Sequence, residues 1–120
     1  MKDADVIAAF SALGQPKRLE AFKLLLAREP EGLHAGDLAR MMDTPFNTMS
    51  AHMAILYRTG LVSASKQGRY ITYRVDVAHF AGILTYLFKD CCNGKPELCA
   101  SMFEEFHRLT SKPKSRIKGH

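Results

Sequence analysis

Between Leu61 and Val75 the hydrophobic period of this chain falls from the three-to-four spacing of helices to a spacing of two, and after Asp76 it rises again. Leu61 to Lys66 and Tyr70 to Val75 read as two strands, the second alternating Ile71, Tyr73 and Val75. Gln67-Gly68-Arg69 supplies the turn between them. One hairpin set between helices constrains the chain to a mainly α architecture with a single β excursion.

The flanking segments carry helical spacing. Val6, Ile7, Phe10 and Leu13 share a face of a short first helix, which Gly14 breaks. Pro16 suits the first turn of a second helix, whose apolar positions include Leu19, Phe22, Leu25 and Leu26 and which ends in Glu29 to Gly32. A third, short helix carries Leu38, Met41 and Met42. Thr44 reads as the N-cap of a fourth helix, with Pro45 at its first position. That helix runs from about Pro45 to Thr59 and stops at Gly60, with Phe46, Met49, Met53 and Leu56 on its core face. Its opposite face holds Asn47, Ala51, Ala54 and Arg58, flanked by Thr48 and Ser50. Such a small, polar surface can approach another molecule closely. After the hairpin come a wide apolar stripe of Phe80, Ile83, Leu84, Leu87 and Phe88, breakers at Gly94 and Pro96, and a last amphipathic helix with Leu98, Met102, Phe106 and Leu109. A short helix, a second helix with a small polar face and then a hairpin form a winged helix-turn-helix layout.

At 120 residues the chain is expected to be one domain over residues 1–110, followed by a basic, flexible tail over 111–120. No apolar run approaches the roughly 18 residues that would cross a membrane. The start, MKDADVIAAF, lacks the basic flank and apolar stretch of a signal peptide. A cytoplasmic protein without membrane contact is the expectation. The formal charge of +5 favours a polyanionic partner. Part of that excess is Lys112, Lys114, Arg116 and Lys118, read either as a solvated tail or as an arm attracted to phosphates.

All three cysteines fall in one run, CCNGKPELC, at Cys91, Cys92 and Cys99. An odd number in a reducing compartment argues for thiols and against a disulfide framework. Soft thiolates select soft ions, and three of them suit the pyramidal coordination of trivalent arsenic or antimony. Zinc or cadmium takes four ligands, and His107 is the candidate fourth. A disulfide-forming redox sensor and three small residues near an interface are the remaining readings. A thiol enzyme would want its cysteine at a helix N-terminus or beside a base. Cys91 and Cys92 instead follow a helix at its negative end, and no oxyanion loop precedes them, so no enzyme is expected.

The stretch LGQPKRLEAFKLLL resembles the second helix of the ArsR/SmtB metalloregulators. NTMSAHMAILYRTGLV resembles their recognition helix around Ser50 and His52, and KQGRYITYRV their wing, with Gly68, Arg69, Tyr73 and Arg74 in register. The resemblance spans roughly residues 10 to 80. It implies a homodimeric winged helix-turn-helix repressor that leaves operator DNA when a metal or metalloid binds. It also implies DNA contact by Asn47, Thr48, Ser50, His52 and Arg69. These residue types can hydrogen-bond base edges or phosphates, and Arg69 at the hairpin tip can reach phosphate or a narrow groove. Each has a plainer reading, His52 as a partly buried helix residue and Arg69 as an exposed turn residue. Arg58 shares the face of Asn47 but equally suits the helix dipole. The stripe from Phe80 to Phe88 either covers the core or, with Ile7 and Phe10, forms a dimer interface.

The chain departs from the family at two metal sites. Where many members carry Cys-x-Cys in the third helix, Leu33 to Leu38 offers His34 and Gly36. Where others bind zinc across the dimer, Asp76 and His79 are one residue too far apart and Lys89 or Asp90 replaces the later His. His79 therefore reads as an ordinary helix residue. CCNGKPELC itself resembles the C-terminal cysteine motif of a subset of arsenite-responsive ArsR repressors. The expected effector is arsenite on Cys91, Cys92 and Cys99, with antimonite as a further candidate and zinc less favoured.

Overall fold

Among the described residues, six helices and a three-stranded antiparallel sheet follow in the order α1 (Asp3–Leu13), α2 (Pro16–Ala27), β1 (Leu33–His34), α3 (Ala35–Met41), α4 (Phe46–Arg58), β2 (Val62–Gln67), β3 (Tyr70–Val75), α5 (Val77–Cys92) and α6 (Pro96–Ser111). The computed structural model describes residues 1–92 and 96–111, and the side chains of all of these except 89–92, 96, 98, 99, 110 and 111. The thiols of Cys91, Cys92 and Cys99, Gly94 and the basic tail beyond Ser111 lie outside the described residues. The chain divides into two compact units, Met1–Leu84 and Thr85–His120.

In the first unit the core gathers one stripe from each helix. Val6, Ala9 and Ala12 of α1, Phe22 and Leu25 of α2, Leu38 of α3, Met49, Met53 and Leu56 of α4 and Ile83 of α5 are all buried. Phe80 closes on Phe22 edge to face, with ring centroids 5.1 Å apart, a favoured aromatic geometry. The apolar positions Ile7 and Phe10 of α1 stay exposed, and α1 buries the small residues Ala9 and Ala12 instead. Leu19, Leu26 and Met41 are exposed as well.

The ends of the elements follow from their capping chemistry. Gln15 accepts the Arg18 amide at 3.0 Å at the start of α2, with Pro16 at its first position. Asp76 accepts the His79 amide at 3.0 Å at the start of α5, the usual work of an aspartate N-cap. Thr44 does not cap α4. Pro45 is extended, with ψ 143, and the helix begins at Phe46. The Thr44 hydroxyl is turned inward, where it donates to Met42 O at 2.9 Å and accepts from Lys17 Nζ at 2.8 Å. Phe46, expected on the core face, is 56% exposed. First-turn side chains point back past the helix start, beyond the body that covers Met49 and Met53.

The hairpin pairs Val62 with Val75 at its base and Gln67 with Tyr70 at its tip, leaving Gly68-Arg69 as the loop. Gly68 has φ +65 and Arg69 does not share the left-handed region, the pattern of a type II′ turn that matches strand twist. A third strand was not anticipated. Leu33 pairs with Tyr73 and His34 with Thr72, so the sheet order is β1-β3-β2. Arg74 Nη2 adds an ion pair to Glu29 Oε1 at 2.9 Å on the same side of the hairpin.

In the second unit Phe88 and Phe103 meet edge to face, with centroids 4.9 Å apart. Cys91 and Cys92 form the last residues of α5, so they close that helix and do not follow it, and Cys99 is the fourth residue of α6. No helix among the described residues is long and apolar enough to cross a membrane.

Candidate nucleic-acid interface

The short helix α3, the turn Met42–Pro45 and α4 make the helix-turn-helix. The turn is tied by the Thr44 amide to Ala39 O at 2.9 Å and by the Thr44 hydroxyl bonds. Asp43 takes φ 47 inside it, a conformation aspartate tolerates better than most residues. With Met49, Met53 and Leu56 fully buried, a period of 3.6 turns the opposite side of α4 outward. Asn47, Thr48, Ala51 and Arg58 are exposed there.

Ser50 and His52 sit on the two flanks of that face, and both are half-buried. Ser50 borders a cleft of about 100 Å³ with His34, Gly36, Phe46, Tyr70 and Tyr73. The His34 ring stacks on Tyr70, with centroids 5.0 Å apart and planes 23° apart, and His34 Nδ1 lies 3.1 Å from Thr72 Oγ1. Tyr70 adjoins Arg69, so the wing tip stands beside the Ser50 flank of α4. Arg69 itself is exposed. Asn47, Thr48, Ser50 and His52 thus share one helix, and Arg69 belongs to a separate, adjoining element.

His52 faces α2. Its Nδ1 lies 3.3 Å from Arg18 Nη1, and Arg18 Nε donates to Ala12 O at 2.7 Å. Burial, then the charges of Arg18 and Lys17, hold His52 below the ordinary histidine value of 6.5. The ring is therefore neutral at pH 7. Sequence reading gave no role to Lys17 and Arg18. A signal was present: both cations fall in the first turn of α2, the positive end of the helix, where the dipole disfavours them. Cations kept at the wrong end of a helix indicate partners elsewhere, here Thr44 and His52.

Among the described residues no group of three His, Cys, Asp or Glu side chains could hold a metal ion. The carboxylate of Asp37 is used locally, accepting the His34 amide at 3.3 Å and pairing with Arg40 at 2.5 Å.

No protein-family model and no curated protein matches this sequence. Solved structures do match it. An ArsR-like transcriptional regulator from Rhodococcus sp. RHA1 is 23% identical, with 91% of this chain and 95% of that chain covered and a TM-score of 0.66. The homodimeric winged helix-turn-helix DNA-binding domain of a Mycobacterium bovis protein is 23% identical over 75% of this chain and 89% of that one, with a TM-score of 0.57. A structure described as a possible transcriptional regulator for arsenical resistance is 25% identical over 76% and 91%, with a TM-score of 0.56. Helix order, antiparallel wing and these likenesses together establish that the chain has the winged helix-turn-helix fold found in transcriptional regulators.

Proposed function

We propose that this protein is a homodimeric, cytoplasmic transcriptional repressor of the ArsR/SmtB type, released from operator DNA when trivalent arsenic binds Cys91, Cys92 and Cys99. The observation that carries the DNA half is the outward, small and polar side of α4 beside a hairpin ending in Arg69. In this reading α4 enters the major groove. Asn47, Thr48, Ser50 and His52 reach base edges or phosphates, and Arg69 reaches backbone or minor groove. A net charge of +5 favours such an encounter. Two copies bind a two-fold operator, one α4 to each half-site. The exposed Ile7 and Phe10 of α1 support a second copy as the surface that covers them.

The effector half rests on the sequence. Three thiols displace the three hydroxyls of arsenous acid as water, forming three As–S bonds without electron transfer. Antimonite offers the same chemistry, and zinc needs a fourth ligand. Linkage requires that DNA weaken arsenite binding by the factor by which arsenite weakens DNA binding.

The test is fluorescence anisotropy of a labelled duplex, selected by the reduced protein from a random pool, titrated separately with arsenite and zinc. Release by arsenite alone, abolished by Cys99→Ser, is the expected result. Release by zinc, or by neither, overturns the three-thiolate effector and leaves the DNA reading intact. A protein that selects no duplex overturns the DNA reading.

A further inference from the structure

We propose that Arg18 is a positioning residue for DNA reading: it fixes His52 as the tautomer protonated on Nε2 and so sets a hydrogen-bond donor on the flank of α4. The proposal rests on the DNA-binding reading above and adds a residue on a different helix to it.

The geometry allows one proton assignment. A guanidinium has N–H donors and no acceptor. The 3.3 Å contact between Arg18 Nη1 and His52 Nδ1 therefore requires a lone pair on Nδ1. In a neutral imidazole the proton is then on Nε2, at the ring edge away from Arg18. Protonation of Nδ1 would face the guanidinium with a second donor, and Lys17 adds another positive charge nearby. These are the charged groups that act on the ring, and neither favours the imidazolium.

Arg18 is itself held. Its amide is bonded to the Gln15 side chain and its Nε to Ala12 O at 2.7 Å, at the end of α1. The guanidinium is planar and rigid, so fixing Nε on one carbonyl aims Nη1 at the ring. Lysine has one nitrogen and cannot reach both partners in this way. A fixed Nε2–H can donate to guanine N7 or O6, adenine N7, thymine O4 or a phosphate oxygen. It cannot accept from the amino group of cytosine or adenine. A free histidine could do either. Arg18 thereby turns an ambiguous side chain into a selective one without itself touching the duplex.

Two readouts separate this role from a structural one or a direct phosphate contact. Imidazole 15N shifts of the free full-length protein report the tautomer without any DNA. Wild-type His52 is expected as a single Nε2–H form at pH 7, and Arg18→Lys as a mixture. In anisotropy with the selected duplex, Arg18→Lys is expected to weaken binding about tenfold, the scale of one hydrogen bond, with the salt dependence unchanged. His52→Gln retains an amide donor and needs no tautomer, so adding Arg18→Lys to it is expected to cost nothing further. A mixed or Nδ1–H wild-type ring overturns the proposal. So does equal loss in both backgrounds, or a salt slope lowered by about one, the mark of a phosphate contact. A wild-type protein that selects no duplex removes the DNA-binding reading and this proposal together, whereas wild-type binding with an indifferent Arg18→Lys removes this proposal alone.

Discussion

The imidazole of His79 lies against Gly60: a β-carbon added at Gly60 would stand 2.8 Å from His79 Nε2. Gly60 ends α4 with φ +82, so the residue that stops the outward-facing helix is pressed by the first turn of α5. Nε2 of His79 is buried without a protein hydrogen-bond partner, and the residue is placed by its amide bond to Asp76 and by packing against Gly60. Gly60→Ala is expected to lower the unfolding free energy by about 1–3 kcal/mol, from left-handed strain together with the close contact. Adding His79→Ala should recover only part of the loss, because it removes the contact and leaves the strain. Urea unfolding of the three variants checks both statements, and a Gly60→Ala protein as stable as wild type contradicts them.

Thr44 is 8% exposed and bonded on both sides. Thr44→Val keeps the shape and deletes the hydroxyl, stranding Met42 O and the Lys17 ammonium. A loss of about 1–3 kcal/mol is expected, the scale for unsatisfied buried groups. Thr44→Ser should be much milder. If the Val and Ser variants melt alike, the hydroxyl is not what ties the turn.

The lowered pKa of His52 has a consequence for acid stability. Its folded value lies below 6.5, so between the two values the unfolded chain holds more protons than the folded one, and stability rises with pH. The contribution is intact above about pH 6.5 and is lost as pH falls through that value toward the folded one. His52→Gln, which does not titrate, should lose less stability than wild type between pH 7.5 and 5.5. Parallel slopes in chemical denaturation across that range would count against the assignment.

Asn47 and Arg69 are expected to fail differently in DNA binding. Arg69→Ala should weaken binding to all duplexes alike and lower the salt slope by about one. Asn47→Ala should cost about 1–3 kcal/mol on the selected duplex and little on random DNA. Salt titrations with both duplexes distinguish the two. An Arg69→Ala protein with an unchanged slope removes the wing from the phosphate contacts.

The hairpin and α4 were legible because each repeats a period long enough to recognise, and glycines close both at Gly60 and Gly68. β1 was not, since the two residues Leu33 and His34 carry no period and owe their strand to β3, about 40 residues later. The core face of α4 was read correctly at Met49, Met53 and Leu56 and one turn too far at Phe46, because periodicity does not reveal where the covering body ends. The period of α4 placed Asn47 and Thr48 on its exposed side, while their expected DNA contact came from the resemblance. Arg18 was missed because its work is done on His52, 34 positions away, and only its awkward place in the first turn of α2 hinted at it. Helical spacing grouped Val6, Ile7, Phe10 and Leu13 on one face of α1, whereas the core takes Val6 with Ala9 and Ala12 and leaves Ile7 and Phe10 exposed, because small residues let α1 approach closely.

The two-residue strand β1 runs directly into α3 while pairing with the middle strand of the wing. Leu33–Tyr73 and His34–Thr72 therefore rivet the base of the helix-turn-helix to the hairpin, and the His34–Tyr70 stack fastens it again nearer the tip. The wing is an outrigger bolted to the hull at mid-strand, with only Gly68 and Arg69 beyond its last paired residues. A signal that moves the body of the wing, rather than the Arg69 side chain alone, must either shear those rivets or steer the whole vessel.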